Sequence, residues 1–141
     1  MTVATNIKQP MSSPSTEVGG PAIWHRKIRE LFRVVDAKDI DGFLRYLTPD
    51  AVFRFSNAPP VVGHAAIREA LIPFYASISS LHHTINGTWV CQGAAFCLLE
   101  VQYTRLNGKQ VTLPVSNTML TRGDLITDYL IYMDITPVYA P

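Results

Sequence analysis

Four residues in the second half of the chain could move or hold a proton in an apolar setting: His83 in HHTINGTW, Glu100 and Gln102 in CLLEVQYTR, and Asn117 in LPVSNTML. An imidazole changes charge near neutral pH. A carboxylate among apolar side chains is costly unless it is paired or has a raised pKa. From residue 82 the apolar pattern has period two, so His83, Ile85 and Trp89 share one strand face, and Thr84, Asn86 and Thr88 share the polar one. His83 therefore travels with the apolar set, either as a general base or as a hydrogen-bonded core histidine.

The runs 94–104 and 109–120 read as two strands joined by Asn107-Gly108, a strong two-residue hairpin signal. That turn pairs Leu106 with Lys109, which sets Gln102 opposite Leu113 and Glu100 opposite Val115, on one face with Asn117 and Met119. If this face lines a cavity, Glu100 is an acid or base and Gln102 a ligand contact. If it is the outside of the sheet, Glu100 is a solvated or interface residue. The other face carries Leu99, Val101 and Tyr103.

In FRFSNAPP, the parity of Phe53, Phe55 and Asn57 points all three one way. Asn57 then stands at a pocket rim, or else opens the following proline-rich loop as an Asx turn. Tyr75, Tyr129 and Tyr132 could present hydroxyls to a ligand or be core aromatics whose hydroxyls reach water. The expected ligand contacts are Phe53, Phe55, Asn57, Tyr75, Trp89, Gln102, Met119 and Tyr129. His25, His64 and His82 read as surface or capping residues, and Asp128 and Asp134 as outward-facing.

The elements that must position these groups can be read from spacing. Residues 1–20 are rich in Ser, Thr, Pro and Gly and read as a disordered tail, which leaves one domain over 21–138. Pro21 suits a first helical turn, and Trp24, Ile28, Leu31 and Val35 form the stripe of a first helix. Asp39 caps a second, short helix, which Thr48-Pro49-Asp50 ends before a strand over 51–56. Ile67, Leu71, Phe74 and Ile78 mark a third helix, kinked by Pro73. LITDYLIYMDI is the last strand. The order predicts an α+β fold with helices covering one face of a curved, mostly antiparallel sheet.

Composition narrows the partners. Twelve Lys+Arg against eleven Asp+Glu gives a net charge of +1, with no basic run to follow a phosphate backbone, so no nucleic-acid partner is expected. No apolar stretch is long enough for a bilayer, no secretory signal is evident, and the expected location is cytoplasmic. Cys91 and Cys97 read as buried hydrophobes, their spacing matches no zinc pattern, and no phosphate-binding glycine loop exists, so neither metal nor cofactor is expected.

DAKDIDGFLRYLTPDAVFRF (36–55), VGHAAI (62–67), LPVSN (113–117) and LITDYLIYMD (125–134) resemble the nuclear transport factor 2-like superfamily and, within it, the SnoaL-like domains. The resemblance implies a cone-shaped sheet wrapped around three helices, a small hydrophobic ligand, and a homodimer through the outer sheet face. It implies a function among isomerases, cyclases, dehydratases, epoxide hydrolases and plain binding subunits. Against steroid isomerases of this fold, Phe55 stands where they place a general-base aspartate and Leu31 where they place a hydrogen-bonding tyrosine. Asn117 stands at their oxyanion donor, which implies a catalytic role for its amide. The Asp-Arg-Asp set of limonene-type epoxide hydrolases is met only by Glu100, Gln102 and Ile131. Two readings follow: an acid–base enzyme using His83, Glu100 and Asn117, or a non-catalytic binding or assembly domain.

Overall fold

The computed structural model describes residues 22–141; the tail expected over 1–20, and Pro21, lie outside the described residues. Helix α1 (Ile23–Asp36) buries Trp24, Ile28, Leu31 and Phe32, a broader stripe than the spacing alone marked, while Val35 packs at its edge. Asp39 caps α2 (Ile40–Leu44) as expected, its Oδ1 accepting the Gly42 N–H at 2.9 Å.

Strand β1 (Leu47–Phe55) starts earlier than the Thr48-Pro49-Asp50 breaker suggested. Its pairing with the last strand skips from Leu47 to Val52, so Pro49, which lacks an N–H, falls where the ladder is interrupted. After the short β2 (Val61–Val62) comes α3 (His64–Ala76), which contains Pro73 and ends three residues beyond it.

Four long strands follow: β3 (Ile78–Cys91), β4 (Ala94–Arg105), β5 (Gln110–Arg122) and β6 (Leu125–Tyr132). A final short helix, α4 (Thr136–Tyr139), had no signal in the sequence reading. The strands form one six-stranded sheet in the order β2-β1-β6-β5-β4-β3, with β1 parallel to β6 and every other pair antiparallel. Helices α1 to α3 pack on its inner face, giving the expected α+β cone.

Three local features overturn the expected side-chain directions. The β4–β5 hairpin has a three-residue loop, not two. Arg105 N–H donates to Lys109 O at 2.8 Å and Gly108 N–H to Arg105 O at 2.9 Å, while Gly108 takes φ 84°. A type I turn closed by a left-handed glycine adds one residue to one strand. The register moves accordingly: Gln102 faces Thr112, Glu100 faces Pro114, and Val101 faces Leu113. Because side chains alternate, that single step turns Glu100 and Gln102 to the exposed outer face, while Leu113, Val115, Asn117 and Met119 stay inside.

The second feature is a bulge in β3, where pairing passes from Ile85–Leu99 to Gly87–Leu98. Beyond it the parity is inverted. Thr88 turns inward, and Trp89 pairs with exposed Phe96 on the outer face instead of joining His83. A Cβ at Gly87 would stand 2.5 Å from the Trp89 ring, so a larger residue here displaces that ring. The third feature ends β1. Ser56 adopts a left-handed φ of 51°, and Ala58 N–H turns back to Phe55 O at 3.0 Å. Asn57 is left exposed in this turn and does not reach the pocket rim.

Candidate functional site

The cone encloses a cavity between the helices and the inner face of the sheet. Its wall is mostly aromatic and aliphatic and includes Phe53, Phe55, Phe74 and Tyr103. Tyr129 is fixed between rings: it stacks on Phe53 at 5.8 Å and meets Phe43 edge-on at 5.0 Å. The free space is about 40 Å³, so a ring-sized ligand requires side chains to move.

Polar groups reach this wall at two places. At the first, His83 projects inward from β3, its ring 4.7 Å from Phe32. Strand β3 is the edge of the sheet, so half of its N–H groups have no neighbouring strand. Asp36, the last residue of α1, supplies the missing acceptor. Its Oδ2 takes the His83 backbone N–H at 3.0 Å and its Oδ1 takes the ring Nδ1–H at 2.6 Å. One carboxylate thus fixes both the strand edge and the imidazole. With Nδ1 committed as donor, Nε2 is the acceptor, and it has no hydrogen-bond partner among the described residues.

The corner that carries Asp36 is itself anchored. Lys38, held at φ 56°, extends its ammonium to the carbonyls of Tyr75, Ile78 and Ser79 at 3.0, 2.9 and 2.9 Å. These carbonyls lie where α3 passes into β3, and a cation there satisfies groups that the helix end leaves free. Exposed His82 also stands 3.5 Å from Asp36 Oδ2.

At the second place, on the central strands, Asn117 donates from Nδ2 to the Tyr129 hydroxyl at 2.9 Å. Both residues are almost completely buried and both line the cavity. Asn117 Oδ1 is buried with no hydrogen-bond partner. Burial, reinforced by neighbouring Cys97 and tyrosines, raises the Tyr129 phenol well above its ordinary value, and burial also pushes Tyr75 up to about 12. These hydroxyls stay protonated at neutral pH.

Of the expected site residues, His83, Asn117, Phe53, Phe55, Tyr75 and Tyr129 come together on the cavity wall. Met119 is fully buried without reaching it. Glu100, Gln102, Trp89 and Asn57 do not reach it either, for the register, bulge and turn reasons given above. Asp36 was missed. Its one sequence signal is a carboxylate at a helix C-terminus, where the dipole disfavours negative charge. Among the described residues no cluster of three or more His, Cys, Asp or Glu side chains is placed to hold a metal, and no helix is long and apolar enough to cross a membrane.

Residues 28–129 match the SnoaL-like domain, and the chain belongs to that family. No curated protein matches it in sequence. Among solved structures it is similar to a putative SnoaL-like polyketide cyclase from Jannaschia sp. CCS1, at 12% identity and TM-score 0.75, covering 89% of this chain and 94% of that one. A nuclear transport factor 2-like protein from Anabaena variabilis ATCC 29413 gives 17% identity and TM-score 0.75, covering 87% and 95%. SalBIII, an epoxide hydrolase/cyclase-like enzyme in pyran ring formation in the polyether salinomycin, gives 18% identity and TM-score 0.69, covering 81% and 94%. At these identities the likeness shows the nuclear transport factor 2-like fold, and it agrees with the fold built up from the strands.

Proposed function

We propose that this chain is a cofactor-independent acid–base enzyme acting on an oxygenated hydrophobic small molecule, with His83 as the proton-transferring group. The observation that supports it is the His83–Asp36 pair: Nδ1 is held at 2.6 Å by a carboxylate while Nε2 remains available on an apolar cavity. In that arrangement Nε2 accepts a proton from the ligand, and Asp36 stabilises the imidazolium that forms. Isomerisation, cyclisation and dehydration of a hydroxy- or keto-bearing ring compound all need such a transfer. Distant relatives of this fold include a putative polyketide cyclase and an epoxide hydrolase/cyclase-like enzyme, which is consistent with this range.

The test is a thermal-shift screen of hydroxylated and keto-bearing ring compounds, followed by turnover assays on the hits. His83→Gln should lower turnover by about a hundredfold or more while the hit still binds. Unchanged turnover would remove His83 from the mechanism. A second reading, a non-catalytic binding domain, draws on one observation: His83 is the sole carboxylate- or imidazole-bearing residue among the described residues on the cavity wall. Hits that bind without being converted would select it.

The assembly we propose is a homodimer through the outer sheet face. Phe96, Leu98, Leu120 and Tyr132 are exposed there, with Phe96 aligned across the strands with Trp89 and Leu130. Exposed apolar side chains gathered on one face, here interspersed with Thr118 and Ser116, are what an interface between copies covers. Sedimentation at micromolar concentration should give a dimer and Leu98→Glu a monomer; a wild-type monomer would contradict it.

A further inference from the structure

We infer that Asn117 and Tyr129 form a subsite that reads a neutral hydroxyl group on the ligand, and that the same pair disfavours an oxyanion there. The inference rests on the cavity being a ligand site, as proposed above, and deepens it by naming one group that the ligand carries. Its starting point is a polar atom without a partner: Asn117 Oδ1 is buried, has no hydrogen bond among the described residues, and belongs to a residue on the cavity wall. A buried acceptor left in that state is costly, and a ligand donor placed against it recovers the cost.

The pair's chemistry follows from counting donors and acceptors, and it holds for either orientation of the amide. With Nδ2 donating to the Tyr129 oxygen, as found at 2.9 Å, the phenol O–H is free to donate and Asn117 Oδ1 is free to accept. With the amide turned over, the phenol would donate to Oδ1, leaving the Tyr129 oxygen to accept and the amide N–H to donate. Each arrangement leaves a donor on one residue beside an acceptor on the other, and the amide keeps a further N–H.

An alcohol, phenol or enol O–H complements that pattern, because it accepts and donates at once. An anionic oxygen has no proton to give and would face a lone pair. Ionising Tyr129 would change the count, but burial holds its phenol protonated far above neutral pH. The subsite therefore differs from the oxyanion-donor role that the family resemblance implies for Asn117.

The experiment uses the full chain and three probes of similar size: phenol, which donates and accepts, anisole, which accepts, and toluene, which does neither. Wild-type protein should bind phenol about tenfold more tightly than anisole or toluene. In Asn117→Leu and in Tyr129→Phe, each first shown to be folded by circular dichroism, the preference should fall to within about twofold.

A second measurement reads the protonation state of the bound ligand. In His83→Gln, which has no imidazole at this position to take the proton, bound 4-nitrophenol should remain in its neutral form at a pH where the free compound is half ionised, as followed by visible absorbance. Binding as the phenolate would overturn the inference. So would equal affinity for the three probes in wild type, which would leave the cavity as an apolar ligand site and remove only its hydroxyl reading. Binding of none of them would overturn the ligand site itself, and the inference with it.

Discussion

At one end of the cavity His83 leans on Asp36, which comes from the far end of α1; at the other, Asn117 leans on Tyr129 from the adjacent strand. The first pair joins residues 47 positions apart and the second joins residues 12 apart. The edge position of β3 matters to this difference, because an edge leaves an N–H for a helix to answer. Asn117 and Tyr129 sit on central strands, where the backbone is already paired and only side chains remain to be satisfied. One end thus combines a carboxylate with an imidazole whose second nitrogen is available. The other is neutral and keeps an acceptor unpaired. That contrast separates moving a proton from recognising a hydroxyl.

The largest expected effect breaks the first pair. Asp36→Asn removes the carboxylate that fixes Nδ1–H and permits the opposite tautomer, in which Nε2 carries the proton and cannot accept another. Turnover on the substrate found by screening should fall by about a hundredfold, with ligand affinity nearly unchanged. Separate measurement of kcat and of ligand affinity in both proteins checks this. A fall confined to kcat is the expected outcome, and unchanged kcat would reduce Asp36 to a strand-edge acceptor.

A second effect acts on the tyrosines around the cavity. Burial, then the charges of Asp36 and Asp39, push Tyr75 up to about 12 from its ordinary value of 10.0. In the unfolded chain the phenol ionises first, so the stabilisation is intact below about pH 10 and is lost as pH rises towards about 12. The rise from 10.0 to about 12 corresponds to about 2–3 kcal/mol. Urea unfolding midpoints at rising pH should fall across that window, and Tyr75→Phe should flatten the fall.

The sequence disclosed these two ends unequally, for physical reasons. Period-two alternation grouped Asn117 with Val115 and Met119, and the grouping holds because β5 runs from the hairpin without a bulge as far as Met119; which face was inward it left open. The same alternation failed for Glu100 and Gln102, since Asn107-Gly108 fits both a two-residue turn and the type I turn with a left-handed glycine that forms. The choice between them shifts the strand by one residue. Trp89 was misplaced because Gly87 sits in a bulge that no alternation count contains. Helix stripes, the Asp39 cap and the succession of helices and long strands along the chain were readable because they depend on local spacing. The Asp36–His83 contact depends on how α1 is laid across β3, which the spacing of neither segment encodes.

A third, smaller effect concerns the inner pair. Replacing both partners with apolar groups in Asn117→Leu/Tyr129→Phe removes an unpaired buried acceptor together with the hydroxyl it would otherwise leave orphaned. The double variant should be more stable than wild type by about 1–2 kcal/mol while losing the preference for phenol. Asn117→Leu alone should gain less, because Tyr129 loses its donor. Chemical denaturation of the single and double variants measures the difference. A destabilised double variant would mean that the unpaired oxygen contributes to the fold and would weaken its assignment to a ligand.

The smallest effect uses a second histidine contact between α1 and β3. His25 Nδ1 lies 2.6 Å from Thr88 Oγ1, past the β3 bulge and away from the cavity wall, so the same helix is tied to the same strand twice. Burial, then Arg29, lowers the His25 pKa below 6.5. The unfolded chain therefore takes up the proton first as pH falls, and the stabilisation is present above about pH 6.5 and lost below it. His25→Gln should lower stability at pH 8 by about 0.5–1 kcal/mol through the lost hydrogen bond and should flatten the decline below pH 6.5. Its turnover should match wild type, because the imidazole next to the ligand is His83. If His25→Gln instead reduced turnover as strongly as Asp36→Asn, both variants would be acting through the placement of α1 on β3. The proton-transfer role assigned to the Asp36–His83 pair would then lose its distinction from a structural tie.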